Sequence, residues 1–375
     1  MSDGAGSFME ELVSGHSLLV FAGEGGVGKT SLAASAALAA ARGGRRVAVI
    51  TIDPAPRLAN ALGLDKLGGL AREVPLGGDI APGGLLVAMK LDTQATLDRM
   101  VGRLTPASAA AVLANPIYKA LAGAVSGSDA YVAMQRLSEL DKDEDWDLLI
   151  VDTPPAAHLA DLLSAPARLT ALLDSGVTRV LAEPALLLAR TASRLAHATL
   201  WAVLQVIERV SGLAFRSQVT EFIDGFGTVL TALEEGAGEV ELMLRRAGSA
   251  FVVVTRPDRR AAKMAGQLSA ELASEGLAIG ALVVNRVTPD APPHRRGVAV
   301  ALAGAPPGTT ETLALMEAEM LRLRASESAV LVELDNLARS LEPEPAYGLI
   351  AELPIDVCGP EQLELLWARP QRPAA

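Results

Sequence analysis

The residues from Gly23 to Thr30 combine glycines, a lysine and a threonine at the spacing G-x-x-x-x-G-K-[ST], which is typical of a phosphate-binding loop. An apolar run precedes them, and an alanine-rich stretch that is predicted to be a helix, Ser31 to Ala41, follows them. A strand that leads through a glycine-rich turn into a helix directs consecutive backbone N–H groups towards phosphate oxygens. In such a loop Lys29 contacts the β- and γ-phosphates, and Thr30 offers its hydroxyl to magnesium. The motif therefore predicts a site for ATP and Mg2+, with nucleotide contacts from Gly23, Glu24, Gly25, Gly26, Val27, Gly28, Lys29, Thr30 and Ser31.

Two carboxylates lie at the ends of further predicted strands. Asp53 follows the run Arg46 to Ile52, and Asp152 ends the run Asp147 to Asp152. In a parallel sheet the carboxyl ends of the strands form the edge where ligands bind. We expect Asp152 to hold magnesium directly or through water, and Asp53 either to join this site or only to cap the following helix. Together with the loop, these two carboxylates favour nucleotide hydrolysis.

Short apolar runs alternate with helix-like stretches, which is typical of an α/β fold with a mostly parallel, doubly wound sheet flanked by helices. Between Ala165 and Gly248 the strand signals stop and helical spacing prevails. We therefore predict a helical insert, 165–248, between two parts of an ATPase core, 15–164 and 249–368, with flexible termini at 1–14 and 369–375. The predicted strands are Ser17–Ala22, Arg46–Ile52, Leu85–Leu91, Asp147–Asp152, Ala250–Thr255 and Ala281–Asn285.

The composition excludes several classes of protein. Half of the 375 residues are apolar, so the chain can bury a large core. The net charge of −11 has the wrong sign for a protein that binds nucleic acid. The longest run without a charge, Leu104 to Tyr118, is too short and broken to span a bilayer, and the first residues contain no apolar signal core. We therefore expect no transmembrane segment, and the single cysteine, Cys358, fits a reducing cytoplasm.

Several motifs together carry a resemblance to a known family. They are the phosphate-binding loop, the segments 51–58 (TIDPAPRL) and 152–159 (DTPPAAHL), and the shorter motifs 254–257 (VTRP), 283–286 (VVNR) and Leu353-Pro354. With these motifs the chain resembles the ArsA-like anion-transporting ATPases, which include arsenite-pump subunits and ATPases that target tail-anchored membrane proteins. In this family 51–58 would be switch I and 152–159 would be switch II.

The resemblance implies a role for each matched residue. Asp53 would orient and polarise the attacking water and would act with Lys29 in catalysis. Thr30, Asp53 and Asp152 would serve magnesium, directly or through water. Asn285 would hydrogen-bond the adenine, and the segment near Pro354 would close over it. For His158, in switch II, a switch role and a structural role both remain open.

Glu24 departs from the family pattern, because the family usually has lysine at this position, which reaches across a nucleotide-sandwich dimer. A carboxylate about 4 Å from a phosphate charge is repelled by about 4 kcal/mol at an effective dielectric constant near 20. We therefore expect Glu24 to point away, to pair with a basic residue or to meet a different partner. The active assembly would be a heterodimer with a lysine-bearing paralogue or a slow homodimer, unless another cation such as Arg57 supplies the charge.

The resemblance to the family and the departures from its pattern leave three hypotheses for function. One cysteine supplies neither a thiolate site for arsenite nor a Cys-x-x-Cys zinc site. The favoured hypothesis is an ATPase that moves the insert through its two switches. The second is a targeting or chaperone module that binds hydrophobic segments with the insert. The third, suggested by Glu24, is a poorly hydrolysing or nonhydrolysing regulatory subunit.

Overall fold

The computed structural model describes residues 8–53, 55–91, 93–115, 118, 129–142, 146–153, 229, 232, 236, 238–289 and 309–366. The chain divides into two compact units. The sheet unit comprises Met1–Met89, Asp145–Ala156 and Leu244–Ala375, and the helical unit comprises Lys90–Glu144 and Ala157–Met243. No helix within the described ranges is long and apolar enough to cross a membrane.

The sheet unit contains eight strands in the described residues. They are β1 (Leu18–Gly23), β2 (Arg46–Thr51), β3 (Arg72–Glu73), β4 (Leu85–Lys90), β5 (Leu148–Asp152), β6 (Ser249–Thr255), β7 (Ile279–Val287) and β8 (Ala346–Ala351). Their order is β3-β4-β2-β5-β1-β6-β7-β8. The pairs β2–β5, β1–β5, β1–β6, β6–β7 and β7–β8 are parallel, whereas β3–β4 is antiparallel. This mostly parallel sheet confirms the predicted α/β class.

Helices flank this sheet. In the sheet unit they are α1 (Phe8–Ser14), α2 (Lys29–Arg42), α3 (Arg57–Ala61), α7 (Arg259–Ser274), α8 (Thr309–Ser340) and α9 (Pro360–Glu364). The helical unit contains α4 (Thr93–Leu104), α5 (Ala109–Ala114) and α6 (Asp129–Lys142). All six predicted strands are present within one or two residues of their predicted ends, and β3 and β8 are additional.

The core lies between the sheet and α2. Every residue of β1, β5 and β6 is buried, as expected for central strands that are covered on both faces. The small side chains of Ala33, Ala34, Ala36 and Ala37 on α2 are fully buried in the same cluster. This packing fixes the start of α2, and with it the loop between β1 and α2.

The predicted domain boundaries are only partly covered by the described residues. Part of the segment 1–14, which was predicted to be flexible, is helical: α1 buries Met9, Leu12 and Val13 in the core. The helices α4 to α6, which the sequence placed in the first part of the core, group instead with the helical unit. Most of 165–248 and all of 369–375 lie outside the described residues, so the insert and the flexible C-terminus stay predictions.

Candidate functional site

The loop between β1 and α2 is packed too closely for side chains at two of its glycines. A Cβ atom on Gly23 would lie 2.1 Å from the carbonyl oxygen of Val254 on β6. Gly28 has φ +97°, and a Cβ there would lie 2.1 Å from Nδ2 of Asn285. Gly28 is the N-cap of α2 and supplies no side-chain cap, so the first N–H groups of that helix are left for other acceptors.

Lys29 is buried, with 7% of its surface exposed. Its Nζ donates hydrogen bonds of 3.0 Å to the carbonyl oxygens of Gly23 and Glu24, which tie the ammonium group to its own loop. Burial lowers the pKa of Lys29; Asp152, Asp53 and Glu24 raise this pKa, whereas the nearby Arg57 lowers it further. An ammonium group has three N–H donors, so one donor remains for an anion.

Asp152 ends β5, between β2 and β1, and is completely buried. Its Oδ2 accepts hydrogen bonds from the hydroxyls of Thr30, at 2.9 Å, and Thr51, at 3.0 Å. Its Oδ1 has no hydrogen-bond partner among the described residues. Burial raises the pKa of Asp152 from 3.8 to about 6, although both hydroxyls and Lys29 act to lower it and Asp53 adds to the rise.

The Asp152 carboxylate and the Thr30 hydroxyl together fit a magnesium ion. A buried carboxylate oxygen that has no partner among the described residues, beside a threonine hydroxyl, gives oxygen donors of the kind that a hard divalent cation prefers. A positive charge there would also offset the burial cost of the Asp152 carboxylate. The structure thus brings Thr30 and Thr51 to the carboxylate of Asp152, and the metal site itself stays a prediction.

Asp53 lies just beyond β2, with 14% of its side chain exposed. Its Oδ1 accepts a hydrogen bond of 2.9 Å from the N–H of Ala55, and its Oδ2 lies 3.3 Å from Nη1 of Arg57. The N-cap of α3 is Pro56, so Asp53 does not cap this helix. The negative charge of Asp53 helps to raise the pKa of Asp152. The two carboxylates are therefore close enough to repel each other.

A cavity of about 740 Å³ opens at this edge of the sheet, a volume that suits a nucleotide. From the loop it is lined by Gly26, Gly28, Lys29, Thr30 and Ser31, and the other residues predicted for the site, Gly23, Glu24, Gly25, Val27 and Asp152, are not among its lining residues. Asp53, Asn285 and Pro354 also line it, so residues from four separate segments meet around one space.

Asn285 has a contact that its sequence position did not predict. Its Nδ2 donates a hydrogen bond of 2.8 Å to the carbonyl oxygen of Val27, and its side chain is buried. It therefore braces the phosphate-binding loop from β7, and its Oδ1 is the atom that remains to accept a hydrogen bond from an amino group in the cavity.

Glu24 is paired within the chain. Its Oε1 lies 2.9 Å from Nε of Arg260, at the start of α7, and 23% of the Glu24 side chain is exposed. Of the outcomes expected for this residue, the structure shows pairing with a basic residue. The remainder of switch II, residues 154–159 with His158, lies outside the described residues.

Comparisons with known proteins agree with the motifs. The model of the anion-transporting ATPase family matches residues 16–296. The ATPase GET3B of Arabidopsis thaliana is 25% identical over 305 residues, which cover 76% of this chain and 67% of that protein. The uncharacterized protein SCO2128 of Streptomyces coelicolor is 30% identical over 290 residues, covering 73% and 63% of the two chains. The ATPase get3 of Schizosaccharomyces pombe is 31% identical over 160 residues, covering 42% and 46%. The chain thus spans about two thirds or less of these relatives.

Proposed function

We propose that this chain, which belongs to the anion-transporting ATPase family, binds ATP with magnesium in the cavity at the carboxyl edge of its sheet and hydrolyses it. The observation that carries the proposal is the buried carboxylate of Asp152. Its Oδ2 accepts a hydrogen bond from Thr30 of the phosphate-binding loop, and its Oδ1 has no partner among the described residues. Without a cation, a buried carboxylate oxygen that has no partner costs stability.

The phosphates would be bound by three kinds of group. The N–H groups of the loop and of the first turn of α2 would donate to the phosphate oxygens, and Lys29 would contact the β- and γ-phosphates. Thr30 and Asp152 would hold magnesium, which would neutralise phosphate charge when bound. These groups are held in place by hydrogen bonds within the chain, and such preorganised charge is what phosphoryl transfer requires.

Asp53 is the residue that we assign to the attacking water. Its carboxylate would accept a hydrogen bond from that water and orient it towards the γ-phosphorus. The new bond joins the water oxygen to phosphorus, and the bridging oxygen leaves with ADP; the proton is released to solvent with the phosphate product. Since the transition state is loose, positioning contributes more than proton abstraction. In the same cavity, Oδ1 of Asn285 would accept from the adenine amino group, and the segment at Pro354 would cover the base.

The assembly is part of the same proposal. We propose a nucleotide-dependent dimeric switch, formed by two copies or with a lysine-bearing paralogue, in the cytoplasm that a single cysteine favours. Glu24 supports a second candidate function, a poorly hydrolysing regulatory subunit, because Glu24 and Arg260 form a pair inside one chain instead of presenting a cation outward. A client-binding module for hydrophobic segments remains the other alternative, and nucleotide-dependent co-purification of apolar peptides would support it.

Calorimetry and phosphate release, each with and without Mg2+, test this proposal. We expect the protein to bind ATP and to release phosphate in the presence of Mg2+, and Lys29→Ala to lose most of the affinity. Asp53→Asn should keep binding and lose hydrolysis. The exposed Lys66 provides a matched control, since Lys66→Ala removes the same charge away from the cavity. Failure of the unaltered protein to bind ATP would overturn the proposal, and binding without phosphate release would favour the regulatory subunit.

A further inference from the structure

The ion pair between Arg57 and Asp53 lies inside the cavity, where the proposed reaction would take place. Both residues line the cavity, and the pair joins Nη1 of Arg57 to Oδ2 of Asp53 at 3.3 Å. Arg57 is the first residue of α3, so its backbone is fixed by the helix while 61% of its side chain is exposed. A fixed backbone and an exposed guanidinium give Arg57 freedom to change its partner without moving the fold.

The pair is a weak one for an arginine and a carboxylate. It uses one guanidinium nitrogen at a long distance, and the described residues offer Nε and Nη2 of Arg57 no other partner. Arginine binds carboxylate and phosphate best through two parallel hydrogen bonds, and an exposed single contact adds little to stability. A more highly charged oxygen group nearby would therefore compete successfully with Asp53 for Arg57.

The charges at this end of the cavity favour such a competitor. Arg57 and Lys29 both line the cavity and repel each other, so an anion between them would relieve this repulsion. A water that Asp53 orients would lie about 3 Å from the carboxylate and about 3 Å from the γ-phosphorus. The γ-phosphate oxygens would then be within reach of the Arg57 side chain by rotation about its own bonds.

We propose that Arg57 contacts the γ-phosphate of ATP bound in the same chain, and that it releases the Asp53 carboxylate when it does so. This inference rests on the proposed function and adds to it a residue that binds the γ-phosphate. Because ADP lacks the γ-phosphate, Arg57 stays paired with Asp53 when ADP is bound. The carboxylate that orients water thus becomes available only with the triphosphate, and Arg57 distinguishes ATP from ADP.

Arg57→Ala and Arg57→Lys test the proposal, with a nonhydrolysable ATP analogue and ADP titrated in the presence of Mg2+. We expect Arg57→Ala to weaken binding of the analogue roughly tenfold or more, as for a lost charge-assisted hydrogen bond, and to change ADP affinity by less than about twofold. Arg57→Lys should restore part of the analogue affinity, because it restores charge without the fork geometry. The maximal rate of phosphate release should also fall in Arg57→Ala, because the transferred phosphate loses a positive charge that would stabilise it in the transition state.

Arg259→Ala is the matched control, because Arg259 is likewise the exposed first residue of a helix, α7, and lines no part of the cavity. Circular dichroism of each variant checks the fold. Equal losses of analogue and ADP affinity in Arg57→Ala would show a purely structural role for Arg57 and overturn the inference. Unchanged analogue affinity and hydrolysis would overturn it too, and would leave the ATPase proposal standing. The ATPase proposal itself fails if the unaltered protein does not bind ATP, or binds it without releasing phosphate.

Discussion

The buried carboxylate of Asp152 makes the folded protein sensitive to pH when magnesium is absent. Its pKa is about 6 in the folded chain, against 3.8 for an exposed aspartate, chiefly because burial disfavours the charged form. The folded state therefore binds the proton more tightly than the unfolded state. The stabilising contribution is complete below pH 3.8 and is lost as the pH rises through about 6.

The size of the effect follows from the two pKa values. A shift of about 2 units corresponds to about 3 kcal/mol, and of this about 2 kcal/mol is lost between pH 4.5 and 7.5. Asp152→Asn keeps the shape and removes the titration. Its amide nitrogen would take the place of Oδ1, for which the described residues offer no partner, and this adds a cost that does not vary with pH. The free energy of unfolding of Asp152→Asn relative to the unaltered protein should therefore rise by about 2 kcal/mol over this range.

Denaturant-induced unfolding in a chelating buffer without nucleotide measures this difference, at several values between pH 4.5 and 7.5. Asp79→Asn serves as the control, since it makes the same substitution at an exposed aspartate outside the cavity. Addition of Mg2+ and ATP should stabilise the unaltered protein and not Asp152→Asn, by the linkage between binding and folding. Parallel pH curves for Asp152→Asn and the unaltered protein would refute the reasoning from burial.

Two further predictions concern the loop itself. Gly23→Ala should lower the free energy of unfolding by about 2 kcal/mol or more, because its Cβ would meet the carbonyl oxygen of Val254 at 2.1 Å. In Gly26→Ala the Cβ would have no neighbour within 4 Å, so this variant should cost only about 1 kcal/mol of backbone strain. Denaturant unfolding compares the two variants. Arg260→Ala should weaken ATP binding roughly threefold to tenfold by leaving the Glu24 charge unpaired near the phosphates. Adding Glu24→Gln should restore the affinity, and purely additive effects in this calorimetric double-mutant cycle would contradict the assignment.

The features that depend only on neighbouring residues are those that the sequence predicted well. Central strands are continuous apolar runs, and the phosphate-binding loop is a contiguous motif, so both can be recognised from neighbouring residues. The strand β8 (AYGLIA) was missed because it is an edge strand that is partly exposed, and β3 because its two residues are both exposed and charged. β3 carries no apolar pattern, whereas β8 is a short apolar run that is interrupted by Gly348.

The contacts that complete the site depend on the order of the strands in the sheet, which local sequence patterns do not predict. Thr51 reaches Asp152 because β2 lies beside β5, and Arg260 reaches Glu24 because β6 lies beside β1. Asn285 braces Val27 for a similar reason, since β7 follows β6 in the sheet. The family resemblance gave Asn285 a role towards adenine, but its contact with the loop required the folded structure.

Glu24 and Asp53 each pair with an arginine from the same chain, but the two arginines differ in position. Arg260 neutralises Glu24 from α7 and lines no part of the cavity, so it removes a repulsive charge without replacing the cation that the resemblance places there. Arg57 lines the cavity and pairs with Asp53, the residue assigned to the attacking water.

If Arg57 turns to the γ-phosphate, the chain supplies in cis the positive charge that Glu24 cannot supply to a neighbouring subunit. A dimer of this protein would then need its partner for the switch motion and not for the charge of the catalytic site, which favours self-sufficient hydrolysis over dependence on a lysine-bearing paralogue.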